Sequence, residues 1–298
     1  MCSEDQLSAM GERPGDQGVS RRHFGALGMS VGIGGAVAAC APMANGQEAG
    51  AGGLVENKVT FPAPGGTMDA VFIHPSEGKH PAVILWPDIA GVRDAFLMMG
   101  RRLAAENYSV LVVNPYYRDL PAPQFADFEA FRNDGGFQKV GPWREKMNAQ
   151  GVMETARAVV GWLDQQGAVD TSAGIGTQGY CMSGPYTIWT AAAAPERVKA
   201  GASFHGGGLV QEGEPTSPHD MFDETQAQFL IAIARNDDAQ NPTHKDVLRE
   251  AAMTAGRPAE IEGYQGDHGW TVPDSPVYAE AEAERAWSRL LALYQTAL

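Results

Sequence analysis

Gly179-Tyr180-Cys181-Met182-Ser183-Gly184 carries the most informative local pattern in this 298-residue chain. A strand-like run, Ala173 to Gln178, precedes it and a helix-like run, Pro185 to Ala194, follows. Strand, tight turn and helix form the setting of a nucleophile elbow, written Gly-x-nucleophile-x-Gly. The flanking residues are small because the turn is sharp and the nucleophile's backbone is strained. Gly179 meets the first position, Cys181 occupies the nucleophile position, and Ser183 stands where the second glycine belongs. Ser183 itself fits the nucleophile position less well, since its flanks would be Cys181 and Pro185. A buried structural cysteine is the other reading of the same residues.

On either side of this stretch, apolar runs alternate with segments of helical spacing. Val55 to Phe61 and Met68 to His74 read as a leading hairpin split by Pro64-Gly65-Gly66. Ala82 to Trp86, Ser109 to Asn114, Lys199 to Phe204, Gln228 to Ala234 and Ala259 to Tyr264 read as short strands, mostly buried. Helices are expected over Asp94 to Glu106, Met147 to Gln166, Thr243 to Ala255 and Ser275 to Leu298. Such alternation implies an α/β fold, a mostly parallel sheet with helices on both faces. Tyr116 to Pro142 breaks the rhythm: it is rich in Pro, Asp and Phe and has no clear period. It reads either as a lid or binding loop or as a solvated excursion.

The formal net charge of −14 argues against nucleic acid or an anionic membrane surface as partner. The three cysteines are Cys2, Cys40 and Cys181, and neither they nor the seven histidines show a metal-ligand spacing. No metal is implied. Residues 1–53 read as a targeting segment and linker ahead of one domain over 54–298. Ser20-Arg21-Arg22-His23-Phe24 followed by the weakly apolar Gly25 to Ala39 resembles a twin-arginine export signal, with the export machinery as partner and a periplasmic destination. Val37-Ala38-Ala39-Cys40 also resembles a lipoprotein cleavage box, which would leave Cys40 as a lipid anchor on the outer side of the membrane. Cleavage after Ala41 or Ala44 is the alternative. Asn45 to Gly53 reads as a Gly/Ala-rich linker.

A cysteine nucleophile needs a base, and the base needs an acid to orient it. In α/β-hydrolases the order along the chain is nucleophile, acid, histidine. Downstream of Cys181, the run Phe229 to Ala234 leads into Arg235-Asn236-Asp237-Asp238, and Ile261 to Tyr264 leads into Gln265-Gly266-Asp267-His268-Gly269-Trp270. Carboxylates and histidines at such strand ends lie on the rim where ligands bind. Cys181, Asp237 and His268 are therefore the candidate catalytic residues. Asp238 is the other candidate acid, and Asp237 is preferred because it comes sooner after the strand. His205, also at a strand end, and Trp270 are candidate pocket residues.

From Leu54 onward the chain resembles the dienelactone hydrolase family. The resemblance rests on Gly-Tyr-Cys-Met-Ser-Gly around Cys181, Trp-Pro-Asp-Ile-Ala-Gly-Val at 86–92, Ala-Arg-Asn-Asp-Asp at 234–238 and Asp-His-Gly-Trp at 267–270. It implies an α/β-hydrolase fold and a Cys181-His268-Asp237 triad acting on a small ester or lactone without a cofactor. It also implies an oxyanion hole from the Ile89 and Met182 backbone N–H groups. The best-known members carry a Glu at the position of Asp88, where it partners the thiol; Asp88 is one methylene shorter. Those members also place an Arg after the catalytic His to hold a substrate carboxylate. Here Trp270-Thr271-Val272-Pro273 has none, which leaves Arg118, Arg132 or Arg144 as substitutes. The expected function is ester or lactone hydrolysis through an acyl-thioester. The rival is a hydrolase-like scaffold that binds a ligand or partner without turnover.

Overall fold

A computed structural model describes residues 48–50, by their backbone, and residues 53–298. The export signal, Cys2 and Cys40 lie outside the described residues. Nine strands form one sheet in the order β1-β2-β3-β5-β4-β6-β7-β8-β9. These are β1 (Glu48–Gly50), β2 (Leu54–Ala63), β3 (Gly66–Pro75), β4 (Ala82–Trp86), β5 (Ser109–Val113), β6 (Ile175–Tyr180), β7 (Val198–Phe204), β8 (Gln228–Ile233) and β9 (Ala259–Gly263). The first three pair antiparallel, and β3 pairs antiparallel with β5. From β5 through β9 every pair is parallel. This is the α/β-hydrolase fold.

The central strands alternate their side chains between two cores. Ile84 and Trp86 of β4 face one, Val83 and Leu85 the other, and all are fully buried. A strand covered on both faces can be apolar throughout, which is why these runs carry no polar alternation. One face is covered by α1 (Asp94–Ala105) and the C-terminal helix; α1 buries Phe96, Leu103 and Ala104.

Between β5 and β6 lie α2 (Phe128–Asn133), α3 (Gly136–Glu145) and α4 (Ala149–Leu163). The first two are helices in the stretch that shows no period in the sequence. They are too short for periodicity to register, and their starts are set locally. The Asp127 carboxylate accepts from the Ala130 N–H at 2.7 Å, and Gly135 opens α3 at φ 69°. Phe131 packs edge-on against Phe125 and Phe137, with ring centroids 5.1 and 4.7 Å away. The segment is therefore a packed cap and not a solvated excursion.

The remaining α-helices among the described residues are α5 (Gly184–Ala193), α6 (Arg235–Gln240), α7 (His244–Thr254) and α8 (Glu280–Ala297). α8 begins five residues later than its sequence pattern suggests. Ser275 precedes a proline, which disfavours helical backbone, and the Ala279 N–H is used by Trp270 O at 3.0 Å. Part of the Gly/Ala-rich linker also differs from expectation, since Glu48–Gly50 pairs with Leu54–Glu56 as an edge strand.

Candidate active site

The parallel strands end on one edge, and five of these ends are followed by a singled-out residue: Asp88 and Ile89 after β4, Cys181 after β6, His205 after β7, Asp237 after β8, His268 after β9. β6 runs directly into Cys181, which opens a 3-10 turn (Cys181–Ser183) leading into α5. Cys181 is buried and has φ 55°, the left-handed region that a non-glycine residue adopts only when its surroundings impose it. The surroundings are visible. A Cβ on Gly179 would stand 2.1 Å from the Ser183 carbonyl oxygen, and one on Gly184 would stand 2.3 Å from Gly206 Cα. Ser183 is a structural pin: its Oγ accepts from the Tyr180 N–H at 2.8 Å and donates to Trp86 O at 2.8 Å. Its hydroxyl thus ties β6 to β4.

His268 is buried, and its Nδ1 lies 2.6 Å from Asp237 Oδ2. Asn236 Oδ1 accepts from the His268 backbone N–H at 2.8 Å, and Gly266 O accepts from the Arg235 N–H at 2.9 Å, so the two loops are stitched side by side. Asp238 is engaged elsewhere, 2.8 Å from Lys245 Nζ. Of the two candidate acids, the geometry brings Asp237 to the histidine. Trp270 is fully buried and stacks on Tyr264, with centroids 4.8 Å apart.

His205 joins these elements to the elbow. Its ring meets the His268 ring edge-on at 5.1 Å, and two residues on, the Gly207 N–H donates to Cys181 O at 3.1 Å. His205 Nε2 bonds Thr271 Oγ1 at 2.8 Å. Burial, and next the neighbouring His268, hold its imidazole well below the ordinary range, so it is neutral.

The loop after β4 departs most from expectation. Asp88 matches the position where a carboxylate partners the thiol, but both its oxygens are claimed by Arg93, at 2.7 and 2.9 Å, and Oδ1 also accepts the Ala90 N–H. Arg93 is buried, yet the carboxylates of Asp88 and Asp274 outweigh that burial and raise its pKa above the ordinary guanidinium value. The negative charge of Asp88, which would disfavour a nearby thiolate, is thereby balanced. Tyr116, also buried, donates to Ile89 O at 2.7 Å and lies 3.4 Å from Met182 Sδ. It touches both residues of the expected oxyanion pair. The Ile89 N–H has no acceptor among the described residues, and the Met182 N–H lies in the first turn of its 3-10 segment, where amides lack an intrahelical acceptor.

Sequence reasoning missed Arg93, Asp274 and Tyr116. One signal was present for Arg93: it precedes α1, where a cation has the wrong sign for the helix dipole. A cleft of about 480 Å³ opens beside Met182, lined by Arg144, Met147, Tyr186, Trp189 and Gly207. Of the three arginines expected as substitutes, Arg118 turns inward to Gly151 O and Thr155 Oγ1. Arg132 lines a separate hollow with Asp274, outside this cleft. Arg144 lines the cleft, with no carboxylate at salt-bridge distance among the described residues. No cluster of three or more His, Cys, Asp or Glu able to hold a metal occurs among the described residues.

Comparison with known proteins agrees with this fold. A protein of Escherichia coli (strain K12) with a provisional carboxymethylenebutenolidase name is 28% identical over 243 residues, 80% of this chain and 86% of its own. The carboxymethylenebutenolidase of Rhodococcus opacus is 24% identical over 238 residues, 77% of this chain and 87% of its own. A Klebsiella pneumoniae crystal structure, provisionally named a dienelactone hydrolase, superposes with a TM-score of 0.68 at 24% identity, over 81% of this chain and 98% of that one. The dienelactone hydrolase family model matches residues 68–298, and the chain belongs to that family.

Proposed function

We propose that this chain cleaves a carboxylic ester or lactone bond through Cys181, His268 and Asp237. As a member of its family it is a lactone or ester hydrolase; the assignment of residues is the proposal. The observation that carries it is the part-buried 2.6 Å His268–Asp237 hydrogen bond on the same sheet edge as the left-handed Cys181. His268 takes the Cys181 proton, and the thiolate attacks the carbonyl carbon. The oxygen gains negative charge and is met by the Ile89 and Met182 N–H groups. Collapse expels the alkoxide, which receives its proton from His268; in a lactone the ring opens. Water, giving a proton to His268, then attacks the thioester and releases the acid and the Cys181 thiol. Asp237 holds the imidazole in the tautomer that can accept at Nε2.

A screen of small lactones and aryl esters tests this reading. Cys181→Ala should abolish hydrolysis while shifting unfolding by only about 1 kcal/mol, since a small side chain is replaced by a smaller one. Retained hydrolysis would sink the cysteine assignment. Within the cleft, Arg144 is the group that would meet an anionic substituent. Arg144→Ala should raise KM roughly tenfold for a carboxylate-bearing lactone, the loss of a charge-assisted hydrogen bond, and leave a neutral aryl ester within about twofold. Equal effects on both substrates would remove Arg144 from recognition.

A further inference from the structure

The buried Arg93 has no part in the reaction steps. Arg93 has five N–H donors, and all five are engaged. Nη1 donates to Asp88 Oδ1 and Gly91 O, Nη2 to Asp88 Oδ2 and Asp274 Oδ1, and Nε to Asp274 Oδ2. Asp274 Oδ2 also accepts the Phe128 N–H at 3.0 Å, the first residue of α2. The Arg93 guanidinium lies over the Phe96 and Phe128 rings, 4.9 and 5.6 Å from their centroids. One planar group thus gathers the loop after β4, the loop beyond His268 and the first helix of the cap.

Ile89 lies inside this clamp. The residue before it is held by both carboxylate oxygens, the residue after it donates to Asp88 Oδ1, and Gly91 O accepts from the same guanidinium. Tyr116 holds the Ile89 carbonyl oxygen. The peptide N–H is the one group of Ile89's backbone left without an acceptor among the described residues. A preorganised donor is worth far more to a developing oxyanion than one that must reorient.

We infer that Arg93 is a positioning residue, which fixes the loop 88–91 so that the Ile89 N–H faces the carbonyl oxygen of a substrate attacked by Cys181. The inference rests on the cysteine reading proposed above. The geometry needs arginine: lysine carries three donors on one nitrogen and cannot span two carboxylates and a carbonyl in one plane.

The test compares two reactions of the same sulfur. Acylation by p-nitrophenyl acetate builds an oxyanion, whereas alkylation by iodoacetamide at Cys181 does not. Arg93→Lys should slow acylation roughly 10²-fold, the scale of one lost oxyanion donor, with alkylation within about twofold of the unaltered protein. Binding of a trifluoromethyl ketone, whose thiol adduct carries an oxyanion, should weaken in parallel. Asp274→Asn, which keeps the shape but weakens one arm, should show the same split at about tenfold, and it decides the matter if Arg93→Lys does not fold. Acylation within about twofold in a folded variant, or acylation and alkylation falling by the same factor, would overturn the inference. Hydrolysis surviving in Cys181→Ala contradicts the cysteine reading instead, so the two failures are distinct.

Discussion

Asp237 and Asp238 are adjacent, and the sequence alone prefers one only by its distance from the strand. In the fold their side chains diverge, one to His268 and one to Lys245. Asp237→Asn should therefore lower kcat by roughly 10²–10⁴-fold with KM little changed, because the imidazole loses its tautomer and orientation. Asp238→Asn removes a partly exposed ion pair and should leave kcat within about threefold. Steady-state kinetics of the two variants check this, and a larger loss in Asp238→Asn would reverse the assignment. His205 makes a second prediction. The unfolded chain binds a proton at this residue near its ordinary pKa of 6.5, the folded chain only at much lower pH. Between those values the unfolded state holds more protons, so stability falls as pH drops from about 6.5. One such group contributes a slope of about 1.4 kcal/mol per pH unit. His205→Asn, which tolerates the positive φ of 40° at this position, should flatten the slope by about one proton in urea titrations from about pH 6.5 to about pH 5. An unchanged slope would mean the residue is not held neutral by the fold.

The elbow was legible in the sequence because its constraint is local: a strand, a left-handed residue and a helix cannot meet without small neighbours. Gly184 shows the constraint at work, since its α-carbon face lies against Gly206 and Ser203. Gly184→Ala should destabilise the protein by about 1–3 kcal/mol through overpacking against backbone and displace Cys181, measurable by denaturant unfolding and by loss of turnover. Full stability and turnover would mean that the two loops are not in close register. The buried strands and longer helices were legible for a similar reason, with period and length agreeing. The short α2 and α3 were not, because a cap at Asp127 and a glycine at 135 decide them, not a repeated apolar stripe. The Arg93 clamp was also hidden: its bonds to Asp274 span 181 residues, and no local pattern encodes a partner so far along the chain. Tyr116 likewise acts across a gap of 66 residues to Met182.

At the scale of the whole molecule, the sheet edge collects residues from five strand ends, and the cap is tied to the loop beyond His268 through the Phe128 N–H, which donates to Asp274 Oδ2. We propose that residues 54–298 form the catalytic unit and that the preceding segment exports it. Replacing Arg21 and Arg22 together by Lys should then trap precursor in the cytoplasm, read by cell fractionation. Normal export of that variant would remove the twin-arginine reading, and fatty-acid labelling with and without Cys40→Ser separates a lipid anchor from simple cleavage. The central claim is that the sulfur of Cys181 carries the acyl group. Its most direct measurement is mass spectrometry of the protein quenched in acid during the first turnover of p-nitrophenyl acetate, followed by peptide mapping. One acetyl group on the peptide containing Cys181, as a hydroxylamine-labile thioester absent from Cys181→Ala, is the predicted result. An acyl group on Ser183 or on any other residue, with turnover persisting in Cys181→Ala, would contradict it.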